Sequence, residues 1–487
     1  MCFGLDARGV WAGESLSIQP YLDQVSNAVT EFTLDNGLKF IVLERHQAPV
    51  VSFMTYCNIG AADEPDGQTG VAHFLEHLAF KGTKTIGTLN YAEETIALDQ
   101  LDRLFDQIQA AKAAGEESST LQTEFEQWQK KAASYVKQNE LGQIIEQAGG
   151  VGLNATTSTD ATRYFYSLPS NKLELWMALE SDRFLHPVFR EFYEEKQVIL
   201  EERRMRVEND PVGELFEIVQ DKAFQVHPYK RPVIGYSADI ENLTRQNVRD
   251  FFEKYYTPEN ITMAIVGDVD PAEVKRLAQL YFSRFSHGSM SLPQLPTEPP
   301  QPQFQTVTLT RQTQPWTVFA YHIPAITDPD YVLYEMLGSV LSDGRTSRLY
   351  QNLVEQQLAI VSRGFTGYPN DKYPNLMVFY TLPAPGQTLE TVEAALTQEL
   401  ENVKQNPISD RELDRVKNQI RANLLRSLQS NSGLASQLAE YEVKTGSWQN
   451  LFTQLDKIQG VTPGDLQRIA QQTFRPENLT LGRLQGS

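Results

Sequence analysis

Two stretches of the chain repeat one another at a fixed spacing. "LTRQNVRDFFEKYYTPENITM" begins at Leu243 and "VTPGDLQRIAQQTFRPENLTL" begins at Val461, so that Pro258, Asn260 and Thr262 match Pro476, Asn478 and Thr480 at an offset of 218 residues. Each reads as a Thr-capped amphipathic helix, a Pro-Glu-Asn turn and a strand. The same offset lays "YEEKQVILEERRMRV" from Tyr193 on "RELDRVKNQIRANLL" from Arg411. An internal repeat of this length means one supersecondary plan used twice, which excludes most single-core folds.

Further upstream "HFLEHLAFKG" aligns with "EMLGSVLSDG" at 262, so the first copy carries 262 − 218 = 44 extra residues. Residues 97–140 account for them: Leu98, Leu101, Leu104 and Ile108, then Leu121, Phe125, Trp128 and Ala132, recur at helical spacing around a turn at Gly115–Ser119. A helical hairpin is expected there. Residues 286–304 hold five prolines without apolar periodicity and read as a stiff linker. The expected domains are 25–285 and 305–487. Strand-like alternation mixed with long amphipathic helices predicts an α+β class. Each domain is then an α/β sandwich, a mainly antiparallel sheet with helices packed on one face.

At 487 residues two domains are also what length demands. The net charge of −19 argues against nucleic acid or an anionic membrane surface as partner. No apolar run is long enough to span a bilayer. The N-terminal segment shows no complete signal peptide, because Asp6 and Arg8 interrupt it, and the compartment is left open. Cys2 and Cys57 are the only cysteines, so neither a disulfide framework nor a thiolate metal site is expected.

The repeat also serves as a control for function. The first copy spends two of seven histidines on His73 and His77, with Glu76 between them; the second puts Glu335, Gly338 and Ser339 at those positions. The fold therefore does not need the triplet. On a helix the three side chains share one face. Two neutral imidazoles a turn apart are two metal ligands, and the glutamate between them is placed to act as a base. A third ligand must come from elsewhere. In "EFYEEKQVILEERRMRVEND", Phe192, Val198, Ile199 and Met205 suggest a helix, and Glu195 and Glu202 lie two turns apart. Their counterparts Leu413 and Ile420 are apolar, which points this stripe inward, where a carboxylate needs a partner. Glu194 and Glu201 form a second pair that helix phase does not exclude.

His73-Phe74-Leu75-Glu76-His77 with "AFKGT", then "GGVGLNATTSTDATRYFYSLP" (149–169), then "EKQVILEE" together resemble the pitrilysin and insulinase-type zinc metallopeptidases with their inverted H-x-x-E-H motif. The likeness is to the bacterial and mitochondrial-processing-type branch with half-length chains. It implies zinc held by His73, His77 and Glu202, Glu76 as base, and Glu195 as a carboxylate supporting the ligands. It implies that "LNATT" is a sheet edge whose backbone at Asn154 and Ala155 pairs with an extended peptide substrate. It further implies a zinc endopeptidase working inside a chamber closed by a dimer.

One departure stands out. Active members carry an Arg and a Tyr seven apart in the second domain; "SRLYQNLVEQQLAIVSR" (347–363) has Val354 and Ile360 there, which cannot donate hydrogen bonds to an oxyanion. The expectation is therefore a homodimer or a heterodimer with a homologous subunit carrying the Arg/Tyr pair. A non-catalytic assembly subunit, or a zinc protein that binds peptides without turnover, are the alternatives.

Overall fold

The computed structural model describes residues 25–286 and 294–486. Residues 287–293 of the expected linker, and the N-terminal residues that bear on a signal peptide, lie outside the described residues. The first half runs β1 (Val29–Thr33), β2 (Lys39–Glu44), β3 (Val50–Cys57), α1 (Val71–Leu78), α2 (Tyr91–Ala114), α3 (Ser119–Ala133), α4 (Glu140–Gln147), β4 (Val151–Thr157) and β5 (Thr162–Pro169). It continues with α5 (Leu173–Leu185), α6 (Phe192–Arg203), α7 (Pro211–Ala223), α8 (Ser237–Asn242), α9 (Arg245–Tyr255), β6 (Ile261–Gly267) and α10 (Pro271–Phe282). The second half holds β7 (Gln305–Arg311), β8 (Trp316–Ile323), α11 (Tyr331–Ser342), β9 (Ala359–Tyr368), β10 (Asn375–Pro383) and α12 (Leu389–Gln405). It ends with α13 (Asp410–Ser427), α14 (Asn431–Thr445), α15 (Asn450–Gly460), α16 (Pro463–Thr473) and β11 (Leu479–Gly486).

The repeat is written into the strand order. The sheets run β1-β2-β6-β3-β5-β4 and β7-β11-β8-β10-β9, identical apart from the extra edge strand β1. In each, one pair is parallel, β2 with β6 and β7 with β11, and the remaining pairs are antiparallel. The repeated asparagines do the same local work: Asn260 Nδ2 donates to Tyr255 O at 3.1 Å and Asn478 Nδ2 to Thr473 O at 3.0 Å, each closing off the preceding helix. The capping boxes at Thr244 and Thr462 start α9 and α16. The inserted hairpin is α2 and α3, joined where Gly115 takes a left-handed conformation at φ +70°.

Each sheet is covered on both faces, and the second cover comes from the other half. Phe40, Val42, Phe53 and Ile265 face the first half's own helices, whereas Ile41, Leu43, Met54 and Val266 pack with Leu434, Leu438 and Ala439 of α14. Reciprocally, Leu215, Val219 and Ala223 of α7 pack against Val318, Ala320, Val378 and Leu484 of the second sheet. At Gly482 a Cβ would fall 2.3 Å from the Val219 side chain, so α7 lies directly on β11. The equivalent helices α7 and α14 are thus exchanged, and the central strands read as continuous apolar runs because both faces are buried.

Candidate metal centre

Helix α1 begins at Gly70, in a left-handed conformation at φ +89°. The buried Glu64 carboxylate accepts from Gly70 N and Ala72 N, both at 2.9 Å, and so fixes the free donors of the first turn. Val71, Ala72, Phe74, Leu75 and Leu78 are buried, and so is His73, which shares a face with the half-buried Glu76 and His77. The Phe74 ring stacks on Phe192 of α6, centroids 4.6 Å apart at 17°. That contact sets how closely the histidine helix and the glutamate helix approach.

Helix α6 is pinned from its other side. Tyr193 OH donates to Asp102 of the hairpin at 3.0 Å, and Phe105 and Phe125 of the hairpin pack on the Tyr193 ring. The buried Lys196 ammonium donates to Leu243 O at 2.7 Å and Glu241 O at 3.0 Å, and burial pulls its pKa down to about 7.

His73, His77 and Glu202 come together, with one ligand atom from each lying within 4.8 Å of the others. Glu202 Oε2 is 3.7 Å from Nε2 of both His73 and His77. Burial, reinforced by the neighbouring His77, pushes the pKa of His73 down to about 3, so its ring is neutral near pH 7. His77 Nδ1 lies 3.1 Å from Glu195 Oε2, which directs the Nδ1 proton to that carboxylate and leaves Nε2 a lone pair. The two Nε2 atoms and a carboxylate oxygen then converge at separations too long for hydrogen bonds, a group that could hold a metal ion.

Glu195 touches His77 on the side of the ring away from Glu202. Its second oxygen pairs with Lys81, which also reaches Glu191 at 3.1 Å. Burial raises the Glu195 carboxyl, but the hydrogen bonds from His77 and Lys81 outweigh it and hold the pKa below the usual value. Glu76 accepts from Thr157 Oγ1 at 2.5 Å; burial raises its pKa against that bond. Asn154 and Ala155 lie on β4, an outer strand of the sheet, whose last residue is Thr157. The second glutamate pair falls away from the centre: exposed Glu201 pairs with Arg204, and Glu194 bonds Gln129 on the hairpin.

Three partners were not legible as such. Lys81 and Thr157 sit inside the segments "AFKGT" and "LNATT" but carried no pattern of their own. Arg206, whose Nη1 lies 2.9 Å from Glu202 Oε1, follows α6 in a single π-helical turn, Arg204–Glu208. The apolar residues used to recognise this helix divide: Phe192 and Ile199 are buried, while Val198 and Met205 stand 49% and 66% exposed on the stripe shared with Glu195 and Glu202. In the second half Val354 is half-buried and Ile360 is exposed at the start of β9.

Residues 39–99 and 128–237 match the family model for insulinase (peptidase family M16), and residues 242–420 match that for the peptidase M16 inactive domain. The chain belongs to the M16 peptidase family. Residues 100–127, the heart of the hairpin, fall in the gap of the first M16 match. Among relatives, the zinc protease PqqE of Helicobacter pylori is 27% identical over 480 residues, covering 97% of this chain and 95% of that one. A solved protease structure from Helicobacter pylori superposes with a TM-score of 0.79 at 26% identity, covering 94% and 99% of the two chains. The probable mitochondrial-processing peptidase subunit beta of Arabidopsis thaliana is 23% identical over 471 residues, covering 93% of this chain and 77% of the relative. No helix among the described residues is long and apolar enough to cross a membrane.

Proposed function

We propose that this M16 chain is a zinc-dependent endopeptidase that hydrolyses unfolded peptides within a dimeric chamber. The observation that carries the reading is the convergence of the His73 and His77 Nε2 atoms with Glu202 Oε2 beside a second, differently held carboxylate, Glu76. His73, His77 and Glu202 would hold the ion, and zinc bound there would supply Lewis acidity toward a peptide carbonyl.

The other steps belong to the chain's own side chains. Thr157 occupies Glu76 Oε2 and leaves Oε1 to take the proton from the attacking water. The raised pKa suits Glu76 both to take that proton and to return it to the departing amide nitrogen as the C–N bond breaks. The outer strand β4 offers backbone groups at Asn154 and Ala155 to an extended substrate, and its last residue, Thr157, bonds Glu76. Glu195, steadied by Lys81, fixes the tautomer and tilt of His77.

The name of the relative PqqE supports the zinc chemistry. The subunit name of the Arabidopsis relative supports pairing with a like or unlike M16 chain. A second reading, a non-catalytic assembly subunit, is favoured by Val354 and Ile360 and by the inactive-domain match of the second half. Zinc content and peptide cleavage of the wild type and Glu76→Gln separate the two. The enzyme retains about one zinc per chain in both and cleaves only as wild type. A wild type that binds zinc yet cleaves nothing, alone or mixed with an Arg/Tyr-bearing M16 subunit, establishes the second reading.

A further inference from the structure

Among the described residues, the donors named so far at the site are already engaged, which leaves open what meets the charge that peptide hydrolysis creates. When water adds to the scissile carbonyl, negative charge collects on its oxygen, and enzymes meet it with fixed hydrogen-bond donors. Thr157 is engaged with Glu76, and Lys81 with Glu191 and Glu195. The second half, in this chain or in a second copy of it, presents Val354 and Ile360 where a donor pair would stand.

Arg206 is the cation left at the centre. Glu202 gives Oε2 to the point of convergence and Oε1 to Arg206 Nη1 at 2.9 Å, so the guanidinium stands one carboxylate's width from the imidazoles. Its side chain is 72% exposed, and Glu202 is its one ion-pair partner among the described residues. The planar fork therefore keeps donors free toward the open side of the site. Val198 and Met205, on the same helical segment, are exposed and apolar. An exposed i,i+4 pair contributes little to stability, so helix stability is a weak reason for placing an arginine here.

We infer that Arg206 is a substrate-contacting catalytic residue whose guanidinium donates hydrogen bonds to the carbonyl oxygen of the scissile peptide as charge develops there. The oxyanion donor then lies in cis, and two copies of this chain suffice without an unlike subunit. The inference rests on the peptidase reading above.

The test uses the full chain purified alone. Wild type, Arg206→Ala, Arg206→Lys and the outward-facing control Arg204→Ala are compared by kcat and KM on a peptide. Affinity for a peptide phosphonamidate, a tetrahedral anion, and zinc content are measured alongside. Affinity for the uncleaved peptide is measured in the Glu76→Gln background. Arg206→Ala is expected to lose about 10²- to 10³-fold, chiefly in kcat, and to lose phosphonamidate affinity by a similar factor. Zinc content and uncleaved-peptide affinity stay unchanged, Arg206→Lys recovers part of the loss, and Arg204→Ala matches wild type. The assignment is overturned if Arg206→Ala keeps its kcat, if zinc affinity falls in step with activity, or if the wild type cleaves only after an Arg/Tyr-bearing subunit is added. A wild type inert in every pairing overturns the peptidase reading and this inference with it, whereas an active wild type with an unaffected Arg206→Ala overturns this inference alone.

Discussion

Removing the Glu195 carboxylate should weaken zinc binding without touching a ligand. The Oε2 atom lies 3.1 Å from His77 Nδ1, on the side of the ring opposite Nε2, while Oε1 is held by Lys81. Glu195→Ala leaves the Nδ1 proton without its acceptor, frees the imidazole to rotate and makes it a poorer base. Losses of this kind typically run 10- to 100-fold in metal affinity, or about 1.4–2.8 kcal/mol. The lower half of that span is expected, because His77 is 25% exposed and water can take over part of the bond. Glu195→Gln keeps an acceptor oxygen and should lose less. Lys81→Met should weaken zinc binding only where Glu195 is present, so in a double-mutant cycle it adds nothing to Glu195→Ala. The assay is competition for zinc against a fluorescent chelator at fixed pH. If Glu195→Ala binds zinc within twofold of wild type while His77→Ala does not, the supporting role assigned to this carboxylate is refuted.

Two further outcomes follow from the fold. Leu434→Ala, at a fully buried α14 position, should destabilise by about 2–5 kcal/mol, and calorimetry should still show one transition because α14 and α7 each close the other half's sheet; two separable transitions would contradict the interlock. Glu412 is raised by burial but lowered further by Arg348 and by the Ser409 backbone and hydroxyl donors, to about 2. Its stabilisation is therefore present above the ordinary carboxylate pKa near 4.5 and is lost as pH falls toward 2. The group is largely exposed, so the effect is about 1 kcal/mol: Glu412→Gln should lower the urea midpoint at pH 6 and leave it unchanged near pH 2, and an equal shift at both pH values would reverse the argument.

What the sequence shows and hides divides by the range of the physics involved. The repeat, the hairpin with its turn at Gly115, and the shared face of His73, Glu76 and His77 are local or periodic, and the structure bears them in those forms. The inward stripe of Glu195 and Glu202 was readable because the second copy replaces both with apolar residues. The exchange of α7 and α14 was not readable: helical periodicity says that Leu434 and Leu438 face something apolar, not which sheet supplies it. Val198 and Met205 mislead for a related reason. They satisfy the apolar spacing of a helix, yet they stand 49% and 66% exposed beside carboxylates whose side chains are only 12% and 19% exposed. Arg206 is invisible among neighbouring arginines until coordinates show that Arg204 pairs with Glu201 and Arg206 with Glu202.

The second half has lost the triplet, yet it participates in the site through the interlock. Asn370 Nδ2 donates to Ser158 Oγ at 3.0 Å, Lys372 N to Asp160 Oδ2 at 3.2 Å, and Lys372 Nζ to Asn58 Oδ1 at 2.7 Å. The first two bonds clamp the turn between β4 and β5, which starts at the residue after Thr157, the hydroxyl that bonds Glu76, and the third holds the residue that follows β3. From behind, α14 packs against β3 and β6, and β3 leads into the segment carrying α1. In its own copy the position of His73 is Glu335, half-buried and bonded by Gln454 Nε2 at 2.9 Å, with desolvation pushing its carboxyl up to about 7. The two copies have therefore diverged in chemistry while neither can close its sheet without the other, and the turn beside Thr157, the hydroxyl bonded to Glu76, is held by residues more than two hundred positions further along the chain.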